Sequence, residues 1–167
     1  MSTPSPSRHA FVVTTIVAAI TAALAAAGSM ALSLPVWAMF VGWIAFFTRG
    51  LNTRSTFENL ACVGIGMSIG VIAALSIPQL ASITGPGLAL PAVVFVVALV
   101  VVALRGLPVL NNLLGYFLGL VAWFAAHLEP SIESVAQLFS ASMIGSAAGW
   151  ISHMVPPRLL KQVQAHA

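Results

Sequence analysis

Charge is what this sequence has least of. Of 167 residues, 6 are Lys or Arg and 3 are acidic, a charged fraction of 5%. A water-facing domain carries about 25% charged residues, so this chain cannot build a soluble surface. Aspartate is absent, and the acidic residues are Glu58, Glu129 and Glu133. None is placed in mid-membrane, Glu58 being explained by a helix cap and Glu129 and Glu133 by an extracytoplasmic loop; the expectation is no enzyme, no catalytic residue, no cofactor and no metal. The single cysteine, Cys62, excludes an internal disulfide framework and a thiolate cluster. Six basic residues and a net charge of +3 are too few for a phosphate-binding stripe, which excludes nucleic acid as a partner.

What is present is apolar, at 60% of the chain, and it is repeated. Phe40-Val41-Gly42-Trp43-Ile44-Ala45-Phe46-Phe47 returns as Phe117-Leu118-Gly119-Leu120-Val121-Ala122-Trp123-Phe124. Upstream, Leu34-Pro35-Val36 matches Leu107-Pro108-Val109. Downstream, Ser55-Thr56-Phe57-Glu58 matches Ser134-Val135-Ala136-Gln137, and the pair Gly66 and Gly70 matches Gly145 and Gly149. Self-similarity of this order signals a duplication.

The expected fold is an all-α integral membrane protein with six transmembrane helices, arranged as two inverted repeats of three. Residues 1–10 read as a disordered cytoplasmic tail and 11–77 as the first repeat. Residues 78–91 read as an uncharged extracytoplasmic linker, 92–155 as the second repeat and 156–167 as a cytoplasmic tail. The run from Phe11 to Leu32 has the roughly 20 residues that cross a bilayer, and is long for a signal-peptide core. The second segment, Leu34 to Thr48, is short: it starts earlier with Pro35 as a kink, or it does not span. Ser55 to Glu58 and Ser134 to Gln137 read as capping boxes. The third helix is expected to stop at Pro78 and the sixth before Pro156-Pro157. With alternating loops, Arg8, Arg49, Arg54, Arg105, Arg158 and Lys161 fall on one side, and Glu129 and Glu133 on the other. Basic loops face the cytoplasm, so both termini are placed there. Three helices per repeat is an odd number, so the second repeat enters from the opposite side, as in many carriers.

Candidate functional residues are neutral. Asn111 and Asn112 are amides in an apolar stretch, costly unless paired; they read as an interhelical hydrogen bond or as pore lining. Gly66, Gly70, Gly145 and Gly149 present small faces for helix packing. Phe40 and Phe117, beside Gly42 and Gly119, read as packed or lipid-facing rings, or as a gate narrowing a path between the repeats. Trp37, Trp123 and Trp150 fit interfacial anchors. His153 is the one histidine expected to be packed.

The doubled aromatic–glycine pattern, Leu34-Pro35 before it and the small-residue third helices resemble small bacterial inner-membrane proteins catalogued as domain of unknown function 1097. The likeness covers about residues 11 to 155. It implies a bacterial inner membrane and supplies no activity or functional residue. The functional expectation is a channel or facilitator for a small neutral solute. The alternatives are a secondary transporter and a non-transporting scaffold or accessory subunit. The partners expected are the lipid bilayer, the solute and further copies of the chain.

Overall fold

The structure is a computed structural model that describes residues 8–165, with side chains as far as Leu160. The described residues are helical, without strands: α1 (Arg8–Ala31), α2 (Val36–Phe47), α3 (Thr53–Thr84), α4 (Pro86–Leu104), α5 (Leu113–Ala126) and α6 (Ile132–Ala165). Three of them, α1, α3 and α4, are long and apolar enough to cross a membrane. The apolar helices α2 and α5 have 12 and 14 residues, about 18 and 21 Å at 1.5 Å per residue. The 34-residue α6 is long but more polar. Its serines meet other helices: Ser142 Oγ donates to Ala38 O at 3.1 Å and Ser146 Oγ to Gly42 O at 2.8 Å.

Several boundaries differ from expectation. The uncharged stretch 78–91 is not a loop. Helix runs through Pro78 and resumes at Pro86, with Gly85 alone between them at φ 83°. Only glycine adopts that conformation without strain, and proline suits the first helical turn that follows. α6 likewise runs through Pro156 and Pro157, so the described part of the expected C-terminal tail is helical. A proline removes one backbone hydrogen bond, whereas ending the helix among apolar groups would leave several groups unpaired. Residues 1–7 and 166–167 of the two expected tails lie outside the described residues, and Arg8 to Ala10 already belong to α1.

The caps sit three residues earlier than the expected boxes. Asn52 Oδ1 accepts Ser55 N–H at 2.9 Å, and Ser131 Oγ accepts Ser134 N–H at 3.0 Å. Pro35 is the N-cap of α2 and no kink, while Asn112 is the N-cap of α5. Pro108, expected to open the fifth helix and to match Pro35, lies in the irregular connection after α4.

Packing does not follow chain order. α2 and α1 pack on α6, and α5 and α4 pack on α3. Each half of the chain therefore supplies the other with its third helix. The contacts advance in the same direction along both partners, so α2 runs parallel to α6 and α5 to α3. Four glycines make these crossings. A Cβ on Gly42 would stand 1.8 Å from Ser142 O, and one on Gly145 would stand 1.7 Å from Met39 O. In the other crossing, a Cβ on Gly119 would stand 2.0 Å from Val63 O, and one on Gly66 2.2 Å from Tyr116 O. The atoms met are backbone, so a methyl group would have to push whole helices apart.

The two crossings correspond residue by residue. A shift of 77 takes Gly42 to Gly119, Met39 to Tyr116 and Phe46 to Trp123; a shift of 79 takes Val63 to Ser142, Gly66 to Gly145 and Gly70 to Gly149. Gly149 packs on Phe46 as Gly70 packs on Trp123. The buried residues of α2 (Ala38, Met39, Gly42, Ala45, Phe46) become Gly115, Tyr116, Gly119, Ala122 and Trp123, all buried in α5. Gly50 and His127, related by 77, both have positive φ, at 83° and 50°. Pro78 and Pro157 are related by 79.

Overpacking of this kind costs about 1–3 kcal/mol. Gly42→Ala, Gly119→Ala and Gly145→Ala are each expected to lower the thermal unfolding midpoint in detergent. Gly28→Ala, whose added methyl meets nothing within 4 Å, is expected to leave it unchanged or raise it, because alanine favours helix by roughly 0.5–1 kcal/mol.

Candidate functional site

Among the described residues, polar side chains concentrate at one end of the bundle, where the α2–α3 turn meets the connection between α4 and α5. Arg49, in that turn, places its guanidinium between three acceptors. Nη2 lies 2.6 Å from Glu58 Oε2 and 3.1 Å from Val109 O, and Nη1 donates to Asn111 Oδ1. Arg54, one helical turn before Glu58, holds the other carboxylate oxygen at 2.8 Å. Glu58 therefore serves two arginines rather than the backbone N–H expected of a capping box.

Asn112 is the centre of the buried part. Its Oδ1 caps α5 by accepting Gly115 N–H at 3.2 Å. Its Nδ2 donates to Thr48 Oγ1 at 2.6 Å and to Asn59 Oδ1 at 2.8 Å. Asn59, fully buried, donates in turn to Arg49 O at 2.9 Å. One amide thus ties α5 to α3 and to the end of α2 through three hydrogen bonds. Tyr116 OH closes the cluster on Leu110 O at 2.7 Å. Asn112 thus bonds between helices, whereas Asn111, in the connection before α5, bonds Arg49 in the α2–α3 turn.

The other residues singled out in the sequence fall elsewhere. Gly66, Gly70, Gly145 and Gly149 all pack against helices of their own chain, so their small faces are used within the protomer. Phe40 and Phe117 are 42% and 40% exposed. Phe117 lines an apolar groove of about 380 Å³ between α4 and α5. Their neighbours Met39 and Tyr116 are the buried side chains. Trp123, expected at an interface, is buried against Gly70, while Trp150 Nε1 donates to Thr53 Oγ1 at 3.0 Å. His153 packs on the rings of Phe46 and Phe47, with centroids 5.8 and 6.5 Å away. Cys62 is a buried free thiol.

Sequence reasoning missed Arg49, Asn59 and Thr48 as members of this cluster. The signal for Asn59 was available: an amide one turn inside an apolar helix needs a partner, as Asn112 does.

A family model spanning residues 15–156 matches the chain; its description reads "Protein of unknown function (DUF1097)". The chain belongs to the DUF1097 family. No curated protein and no solved structure matches it. The glycine crossings, from Met39 to Gly149, and the whole polar cluster lie inside the DUF1097 span.

Replacing Asn112 by Ala strips partners from Asn59, Thr48 and Gly115 N–H, and a buried group left unpaired costs about 1–3 kcal/mol. Asn111→Ala removes one exposed bond to Arg49 and should cost about 0.5–1.5 kcal/mol. Thermal unfolding of the two variants in detergent is expected to show the larger drop for Asn112→Ala.

Proposed function

We propose that this DUF1097 protein is a secondary transporter for a small solute, built as two inverted three-helix repeats that cross the bacterial inner membrane six times. The observation that carries the reading is the residue-by-residue match of the two glycine crossings. Two equivalent units of opposite direction allow two conformations related by exchange of their roles, which is the physical basis of alternating access. Parallel pairing of α2 with α6 and of α3 with α5 agrees with alternate crossing, since only even or only odd helices share a direction.

A membrane setting accounts for the exposed surface. Phe11, Ile16, Ile20 and Leu24 on α1, and Val94, Phe95, Val96 and Leu99 on α4, are all exposed. In water such faces would aggregate; in lipid they are the solvent-facing side. The short helices α2 and α5 fit beside longer neighbours that cover their ends. Arg49 and Arg54 stand at the polar-cluster end and Glu133 at the other, which supports a cytoplasmic cluster and cytoplasmic termini.

A transporter is favoured over the channel for a neutral solute. The two crossings are held by close backbone contacts, and the spaces left between α3 and α6, between α3 and α4 and between α4 and α5 are surface grooves with mainly apolar walls. Movement of one repeat against the other would open a path without a permanent pore.

Single-cysteine labelling of a Cys62→Ser background tests the architecture: residues 51 and 129 should label from opposite membrane faces, and labelling from one face overturns it. In proteoliposomes, gradient-driven accumulation of solute supports the transporter. Passive equilibration would restore the channel, and absence of flux the scaffold.

A further inference from the structure

At the end of the bundle opposite the polar cluster lies a groove of about 400 Å³, formed by the α1–α2 linker and the first turns of α6. Its walls include Leu32, Ser33, Leu34, Glu133, Gln137 and Ser140. The two shifts that superimpose the crossings also place this groove. A shift of 77 takes Leu32 to Val109 and Leu34 to Asn111; a shift of 79 takes Glu133 to Arg54 and Gln137 to Glu58. Val109, Asn111 and Glu58 are the three acceptors around the Arg49 guanidinium. The groove is therefore the counterpart of a guanidinium site.

The residue that fills the site in one half cannot do so in the other. Arg49 corresponds, by the shift of 77, to Ala126. Both residues are half-buried and precede a residue with positive φ, Gly50 or His127, although Leu51 adds a second positive φ that its counterpart Leu128 lacks. A methyl group is too short to reach the walls as the Arg49 guanidinium reaches its acceptors, and Ala126 is not among the residues that line the groove. The chemistry of the walls retains the same sign. The carboxylate has moved one turn, from position 58 to the counterpart of Arg54, and Gln137 keeps an amide oxygen where Glu58 has its carboxylate. A basic residue at position 54 has thereby become acidic, leaving the groove with a carboxylate and no cation of its own. Beside it, Ser29 accepts Leu34 N–H on its carbonyl at 2.8 Å and buries a hydroxyl that no protein group satisfies.

We infer that this groove binds a small organic cation with a planar, multiply donating head, of the guanidinium type. Glu133 supplies the charge, and Gln137 Oε1 and the Leu32 carbonyl are the further acceptors. This names a substrate class for the transport reading and rests on the repeat correspondence behind it. The test reads binding alone, so its failure leaves the flux experiments to stand or fall separately.

The protein in nanodiscs of zwitterionic phosphatidylcholine is titrated with methylguanidinium, and with N-methylurea as an uncharged molecule of similar shape, by saturation-transfer NMR. The expected result is saturable binding of methylguanidinium and none of N-methylurea. Glu133→Gln, at an exposed position, should weaken binding about fivefold, the upper range for one exposed charge pair. Ala126→Arg should abolish binding by placing the chain's own guanidinium in the groove. Equal binding of the two probes, no saturable binding of either, or unchanged affinity in Glu133→Gln would overturn the inference.

Discussion

The fold depends on the near contact of backbones where α2 crosses α6 and α5 crosses α3. In lipid there is no hydrophobic gain in bringing one apolar helix against another, so association relies on close packing and on hydrogen bonds that close packing permits. Glycine at positions 42, 119, 66 and 145 removes the Cβ that would hold these helices apart. Ser142 and Ser146 then reach the carbonyls of α2. The same approach explains why α6 tolerates more polar residues than the other long helices: α1, α2 and α3 surround it, and its hydroxyls meet carbonyls rather than acyl chains.

Because the third helix of each half is held by the other half, neither half can bury its own helices alone. Such an exchange couples the two halves of the chain. A displacement at one crossing has to be met at the other, since α3 and α6 each contact helices from both halves.

The two ends differ in chemistry although they match in backbone. One is closed by Arg49, Glu58, Asn59, Asn111 and Asn112. Its counterpart has Ala126, Gln137, Leu138, Leu34 and Pro35. A buried hydrogen-bonded cluster joins helices at the first end, whereas the side-chain hydrogen bonds of Ser131 and Ser134 at the second are local to the start of α6. The two ends thus differ at five positions that the two crossings bring into correspondence.

Much of this was legible in the sequence because composition and short repeats are local properties. Membrane character followed from the scarcity of charge, and the glycine and aromatic positions that pack the core followed from the repeated motif. The helix ends were less legible. Pro78 and Pro157 break helices in water, but among apolar surroundings the cost of unpaired backbone keeps the helix intact. The capping boxes were displaced by one turn because Asn52 and Ser131 accept the Ser55 and Ser134 N–H groups, which leaves the expected boxes inside helices that have already begun. Which phenylalanine faces outward, and that Asn112 meets Asn59 and Thr48, was decided by tertiary structure alone. Those contacts join residues more than fifty positions apart, and only the rotation of α5 against α3, set by the approach at Gly66 and Gly119, determines which side chains come within reach.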